Sequence, residues 1–167
     1  MALKNLFSAF AAVMVTPGVF WTERGSGRFR DMDAIREYAL PLIALAQLLK
    51  FPIIGVPRPA MFYALFCFIV DVAVLLMLSG IGSKRRTEPG LAAFMLTPFW
   101  VAEPFYLFTG SGWIFALCAV CYVLLLQRYA LNRLEETGGY LLAVVTVFAL
   151  FSAFVLQHGG AIFVNTY

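Results

Sequence analysis

Charge is scarce in this chain: only 13% of its 167 residues are Asp, Glu, Lys or Arg, against about 25% in an ordinary soluble domain. Apolar residues make up 62%, and the mean hydropathy is +0.88. A chain of this size has too little interior to hide that much apolar surface, which excludes a conventional water-soluble domain and intrinsic disorder. Histidine occurs once, at His158, and a lone imidazole without Cys or carboxylate neighbours at ligand spacing makes no metal site. Three cysteines, Cys67, Cys118 and Cys121, all stand in apolar runs. They form no closed set of pairs, so a disulfide scaffold is excluded. Cys118-x-x-Cys121 lacks the electropositive setting of a redox pair and reads as buried packing. Nucleophile-elbow, phosphate-loop, dinucleotide and zinc-protease spacings are missing as well. No catalytic residue, metal or cofactor is therefore assigned, and the chain reads as non-enzymatic. The net charge of +3 is scattered between apolar segments and forms no basic face for nucleic acid.

What the sequence has is long apolar segments. About 20 residues of helix cross about 30 Å of hydrocarbon, and five segments are expected to do so: about 38–56, 60–81, 91–108, 113–129 and 140–164. Pro57-Arg58-Pro59 is expected to break the first from the second. Gly80-Ile81-Gly82-Ser83-Lys84-Arg85-Arg86, Gly110-Ser111-Gly112 and Glu135-Glu136-Thr137-Gly138-Gly139 make the other loops. Such short connections make neighbours antiparallel. The expected fold is an all-α integral membrane protein, a compact five-helix bundle spanning residues 38–167. Before it stands a cytoplasmic or interfacial segment, 1–37. Within that segment Leu6–Val15 resembles a signal-peptide core but lacks a convincing cleavage site. It reads better as a helix lying in the interface with Trp21 at headgroup depth, a half-inserted hairpin being the alternative.

With the N-terminus in the cytoplasm, ten of the 12 positive residues fall inside: Lys4, Arg24, Arg28, Arg30, Arg36, Lys84, Arg85, Arg86, Arg128 and Arg133. Lys50 and Arg58 fall outside. This bias orients the chain N-terminus in, C-terminus out.

Ionisable residues at membrane depth cost about 2.5–3.5 kcal/mol each at a helix centre and need a reason. Asp71 stands mid-way along the second span and Glu103 within the third. Lys50, near the end of the first, has a stem long enough to snorkel outward. Asp71 and Glu103 read either as a proton or cation pathway, or a polar pocket shared by the second and third spans, or as structural acids bonded to a hydroxyl, a freed carbonyl or a base such as Lys50. Pro98 and Pro104 each delete a backbone hydrogen bond in the third span, so a kink and freed carbonyls are expected there, with Thr97 and Glu103 just before the breaks. Arg24, Arg28 and Arg30, with Lys84, Arg85 and Arg86 on the same side, form a candidate surface for anionic lipid or a partner.

Several short motifs resemble the Yip (Ypt-interacting protein) domain family. These are Pro17-Gly18-Val19-Phe20-Trp21-Thr22-Glu23, then Tyr38-Ala39-Leu40-Pro41, then Phe94-Met95-Leu96-Thr97-Pro98, where Phe94 replaces the family's usual Tyr. Tyr122–Leu131 resembles the family's fourth-span exit. The resemblance, to a small stand-alone prokaryotic-type member, implies a five-span protein with a cytoplasmic N-terminus that organises membrane partners or lipids, with a role in membrane trafficking or homeostasis. Eukaryotic relatives bind small GTPases through a cytosolic region. The 37 residues before this bundle are short and apolar for that task, which weighs against GTPase binding. Implied partners are the bilayer, anionic lipid, a second copy or another membrane protein, in a bacterial inner membrane. The competing function is a small channel or proton-coupled transporter using Asp71 and Glu103.

Overall fold

The computed structural model describes residues 2–26, 33–84, 90–107, 112–131 and 147, and nearly all of these are helical, with no strand among them. The helices are α1 (Ala2–Val15), α2 (Pro17–Ser26), α3 (Leu40–Leu48), α4 (Lys50–Ile54), α5 (Pro57–Lys84), α6 (Leu91–Met95), α7 (Thr97–Ala102) and α8 (Gly112–Leu131). A π-turn over Ala34–Ala39 leads into α3, and a 3-10 segment over Glu103–Leu107 follows α7. Two stretches, Ala34–Ile54 and Pro57–Gly80, are long and apolar enough to cross a membrane. Shorter apolar helices cover Asn5–Val15, Leu91–Leu107 and Gly112–Arg128. The fifth expected span, 140–164, lies outside the described residues, as do His158, Arg28, Arg30, Arg85 and Arg86.

Prolines set the punctuation. Asp33 caps the π-turn by accepting from the Ile35 and Arg36 amides at 3.0 and 2.9 Å. The ladder widens there: the Leu40 N–H reaches back five residues to the Ile35 carbonyl, just before Pro41, whose ring has no N–H to give. Pro57 and Pro59 do not make the break assigned to them. The chain turns earlier, at Gly55 with φ +73°, where its N–H closes α4 on the Phe51 carbonyl, and the prolines occupy the first turn of α5, where a missing N–H costs nothing. Nor do Gly80 and Gly82 start a loop, because α5 continues through them to Lys84. Residues 91–107 divide into α6, a turn at Leu96, α7, and the 3-10 segment beginning one residue before Pro104.

The N-terminal helices pack into the same core as the later ones. Leu6, Ala9, Val13 and Phe20 are buried, and α1 packs against α7 and the π-turn while α2 packs against α8. Helical bonds run through the junction, from Thr16 N–H to Ala12 and from Phe20 N–H to Thr16. Pro17 leaves the Val13 carbonyl without its usual donor, and the Tyr122 hydroxyl of α8 takes over. It donates to the Met14 carbonyl at 2.6 Å and reaches that of Val13 at 3.3 Å. An aromatic stack, Phe20 on Phe94 (4.9 Å) and Phe94 on Tyr38 (4.7 Å), joins α2, α6 and the π-turn.

The distribution of polarity is inverted relative to a water-soluble protein. Gln47, Lys50, Asp71, Thr97, Glu103 and Gln127 are buried, whereas Leu48, Leu65, Ile69, Leu76, Trp113, Leu117 and Leu124 are exposed. Only 39% and 33% of the two long apolar windows is buried. Burial on α5 follows one stripe, Ala60, Tyr63, Ala64, Cys67, Asp71, Leu75 and Leu78, at the spacing of three and four residues that one helical face requires. Cys118 and Cys121, read as buried packing, are exposed on α8, and only Cys67 is buried.

Candidate functional site

Three elements bring ionisable side chains to one point. The α3–α4 region supplies Gln47 and Lys50, three residues apart and hence on one face. The middle of α5 supplies Asp71, and the 3-10 segment supplies Glu103 from its first position. The Lys50 ammonium donates to Glu103 Oε1 at 2.6 Å and to Gln47 Oε1 at 2.6 Å. The Gln47 amide group in turn donates from Nε2 to Asp71 Oδ2 at 3.1 Å and to Glu103 Oε2 at 3.0 Å. One neutral amide thus joins both carboxyls while its oxygen binds the cation. Lys50 is 0%, Glu103 1%, and Asp71 and Gln47 each 5% exposed. Of the two readings of Lys50, outward snorkelling is corrected, and the base that bonds an acid within the bundle is the one the structure has. Its stem is enclosed and its head finds an acid inside, a far better partner than an apolar exterior offers.

Aromatic and thiol groups wall the network. Tyr63, Cys67 and Asp71 follow one another at four-residue intervals on α5. The Lys50 Nζ lies 4.9 Å from the centroid of the Tyr63 ring, a cation–π distance. Tyr63, Cys67 and Tyr106 pack together as a small buried cluster, flanked by Ile54, Phe66, Phe115 and Ala116. A cavity of about 230 Å³ between α1, α3 and α7, lined by Phe7, Phe10, Leu42, Leu45, Trp100 and Val101 among others, takes no lining from the network. Among the described residues, no group of three His, Cys, Asp or Glu side chains is placed to hold a metal.

No family model, curated protein or solved structure matches this chain. The site is therefore interpreted from its own chemistry.

Of the residues singled out in the sequence, Asp71, Glu103 and Lys50 meet in one network, whereas Thr97 does not join them. Its hydroxyl bonds the Tyr38 hydroxyl at 2.8 Å and reaches the Ala93 carbonyl at 3.4 Å. Pro98 and Pro104 flank the two segment boundaries that aim Glu103 inward: α7 begins at Thr97, and the tighter 3-10 turn begins at Glu103. Arg24 and Lys84 lie on α2 and α5, and their side chains fall outside the described residues, like Arg28, Arg30, Arg85 and Arg86 as a whole. Gln47, Tyr63, Cys67 and Tyr106 were not singled out as site residues. Spacing signals existed: Gln47-x-x-Lys50, Tyr63-x-x-x-Cys67-x-x-x-Asp71 and Glu103-x-x-Tyr106 each place a polar or reactive side chain on the face of a charge set in an apolar run.

Proposed function

We propose that this chain is a polytopic membrane protein of five spans whose buried network is the proton-exchange centre of a small proton-coupled carrier. The membrane assignment draws on the inverted polarity: large aliphatic side chains outside, charges inside, and helices long enough to cross. The N-in, C-out orientation draws on the bias of Lys and Arg.

The observation that carries the functional reading is the charge count of the network. Two carboxyls, Asp71 and Glu103, face a single ammonium, Lys50, through one shared amide. Fully ionised, the group holds one uncompensated negative charge in a low-dielectric interior. Adding one proton balances it, and removing that proton creates a strong field across three packed helices. A site with two such states on separate helices couples proton occupancy to helix position. Intramembrane ionisable residues serve this purpose in pumps and transporters generally.

The test is proton movement in proteoliposomes containing a pH-sensitive dye, driven by an imposed potential. The expected result is protein-dependent flux that is lost in Asp71→Asn, which retains an acceptor for Gln47 but no titrating acid. Wild-type liposomes no leakier than empty ones, or an unchanged rate in Asp71→Asn, would refute the carrier reading. The organising role implied by the Yip resemblance is the competing proposal. It draws on short motifs and on basic residues whose side chains are not described.

A further inference from the structure

Among the described residues, the Tyr106 hydroxyl is buried and meets no hydrogen-bond partner, in a residue only 8% exposed. A phenol in that position is rare, since buried polar groups are paired with protein or with ordered water. Its position is specific. Glu103 and Tyr106 are three apart in a 3-10 segment, where three residues make one turn, so the two side chains lie on the same face. The Tyr106 ring packs with Tyr63 and Cys67, and the Lys50 ammonium that pairs with Glu103 sits over the Tyr63 ring. The orphan hydroxyl thus belongs to the same polar neighbourhood as the acids.

Glu103 has acceptor capacity left. Its Oε1 receives Lys50, its Oε2 receives Gln47, and the Asp71 carboxyl adjoins it within hydrogen-bond reach, which still leaves one of the about four lone-pair sites of a carboxylate. A metal cation is a poor occupant, because the group lying between the two acids is the Gln47 NH2, a donor, rather than an oxygen ligand. Water fits: it gives to the carboxylate, it takes from or gives to the phenol, and a buried water needs two to four such partners.

We infer that a water molecule is bound between the Tyr106 hydroxyl and the Glu103 carboxyl. On the carrier reading, it is the port through which the network exchanges its proton. The inference about hydration stands on the geometry, and only its use as a port rests on the proposed function.

Infrared spectroscopy of the full-length protein tests it, with the Glu103 carboxyl band assigned by 13C-glutamate labelling and the charge-retaining Glu103→Asp variant. Tyr106→Phe is expected to shift that band, to remove a water O–H band that moves in H2 18O, and to slow proton uptake without abolishing it. The variant is also expected to be no more stable than the wild type, because it loses a satisfied hydroxyl. An unchanged Glu103 band together with a raised unfolding midpoint would show a dry phenol and overturn the inference. A shifted Glu103 band and a lost water band in a protein without proton flux would support the bound water while removing the carrier reading.

Discussion

Replacing Lys50 by Met tests the network most directly. The new side chain has a similar length and fits the same enclosed channel, so the change is mainly electrostatic. Glu103 Oε1 and Gln47 Oε1 each lose a donor at 2.6 Å, and two carboxyls then face one another across Gln47 with no cation. Removing one member of a buried ion pair costs about 3–5 kcal/mol, because the remaining charge stays buried unpaired. Combining Lys50→Met with Glu103→Met replaces the pair by apolar groups, a change that is often neutral when packing is kept. The double variant is therefore expected to be more stable than Lys50→Met alone, with a coupling of about 0.5–3 kcal/mol between the sites. Reversible denaturant titration in mild detergent, followed by tryptophan fluorescence, measures all three variants against wild type. Additive losses in the double variant, or a Lys50→Met protein within about 0.5 kcal/mol of wild type, would show that the pair is not buried as described.

Two predictions concern how the network is held in place. Tyr122→Phe deletes the hydroxyl that serves the Met14 and Val13 carbonyls. A loss of about 1–2 kcal/mol is expected, with faster hydrogen exchange confined to residues around the α1–α2 junction; uniform exchange changes would argue against the contact. Gly112→Ala would put a Cβ 2.7 Å from the Tyr106 carbonyl oxygen, forcing α8 away from the 3-10 segment at about 1–3 kcal/mol. Its unfolding midpoint should fall, and a midpoint equal to wild type would show that the two segments are not in close contact.

The helical character of the chain was legible because long apolar runs carry it whatever their partners are. The acids were legible too, since Asp71 and Glu103 stand out among hydrophobic neighbours. Their destination was not, because the bonds that define it join residues 24, 53 and 56 positions apart. Gln47 is neutral and so carries no charge signal in the sequence, yet its amide both donates to the two acids and accepts from the base. The sequence leaves Lys50 two roles, a stem snorkelling outward or a base for a buried acid, and the structure takes the second because the third helical region presents Glu103. α5, Pro57–Lys84, runs past the expected span at both ends, where prolines and glycines read as loop signals in the sequence. The first turn tolerates proline, and packing outweighs the modest helix cost of glycine.

The tie between Lys50 and Glu103 has a consequence for how the chain is made. Emerging from the ribosome, Lys50 is translated 53 residues ahead of its mate, and Gln47 and Asp71 meet first. Until Glu103 arrives, the hairpin of the first two long helices holds Lys50 and Asp71 joined only through Gln47, one charge of each sign, and the ammonium lacks its direct 2.6 Å partner. Delivery of the later segment then completes the set, so biogenesis is expected to commit these helices together rather than one by one.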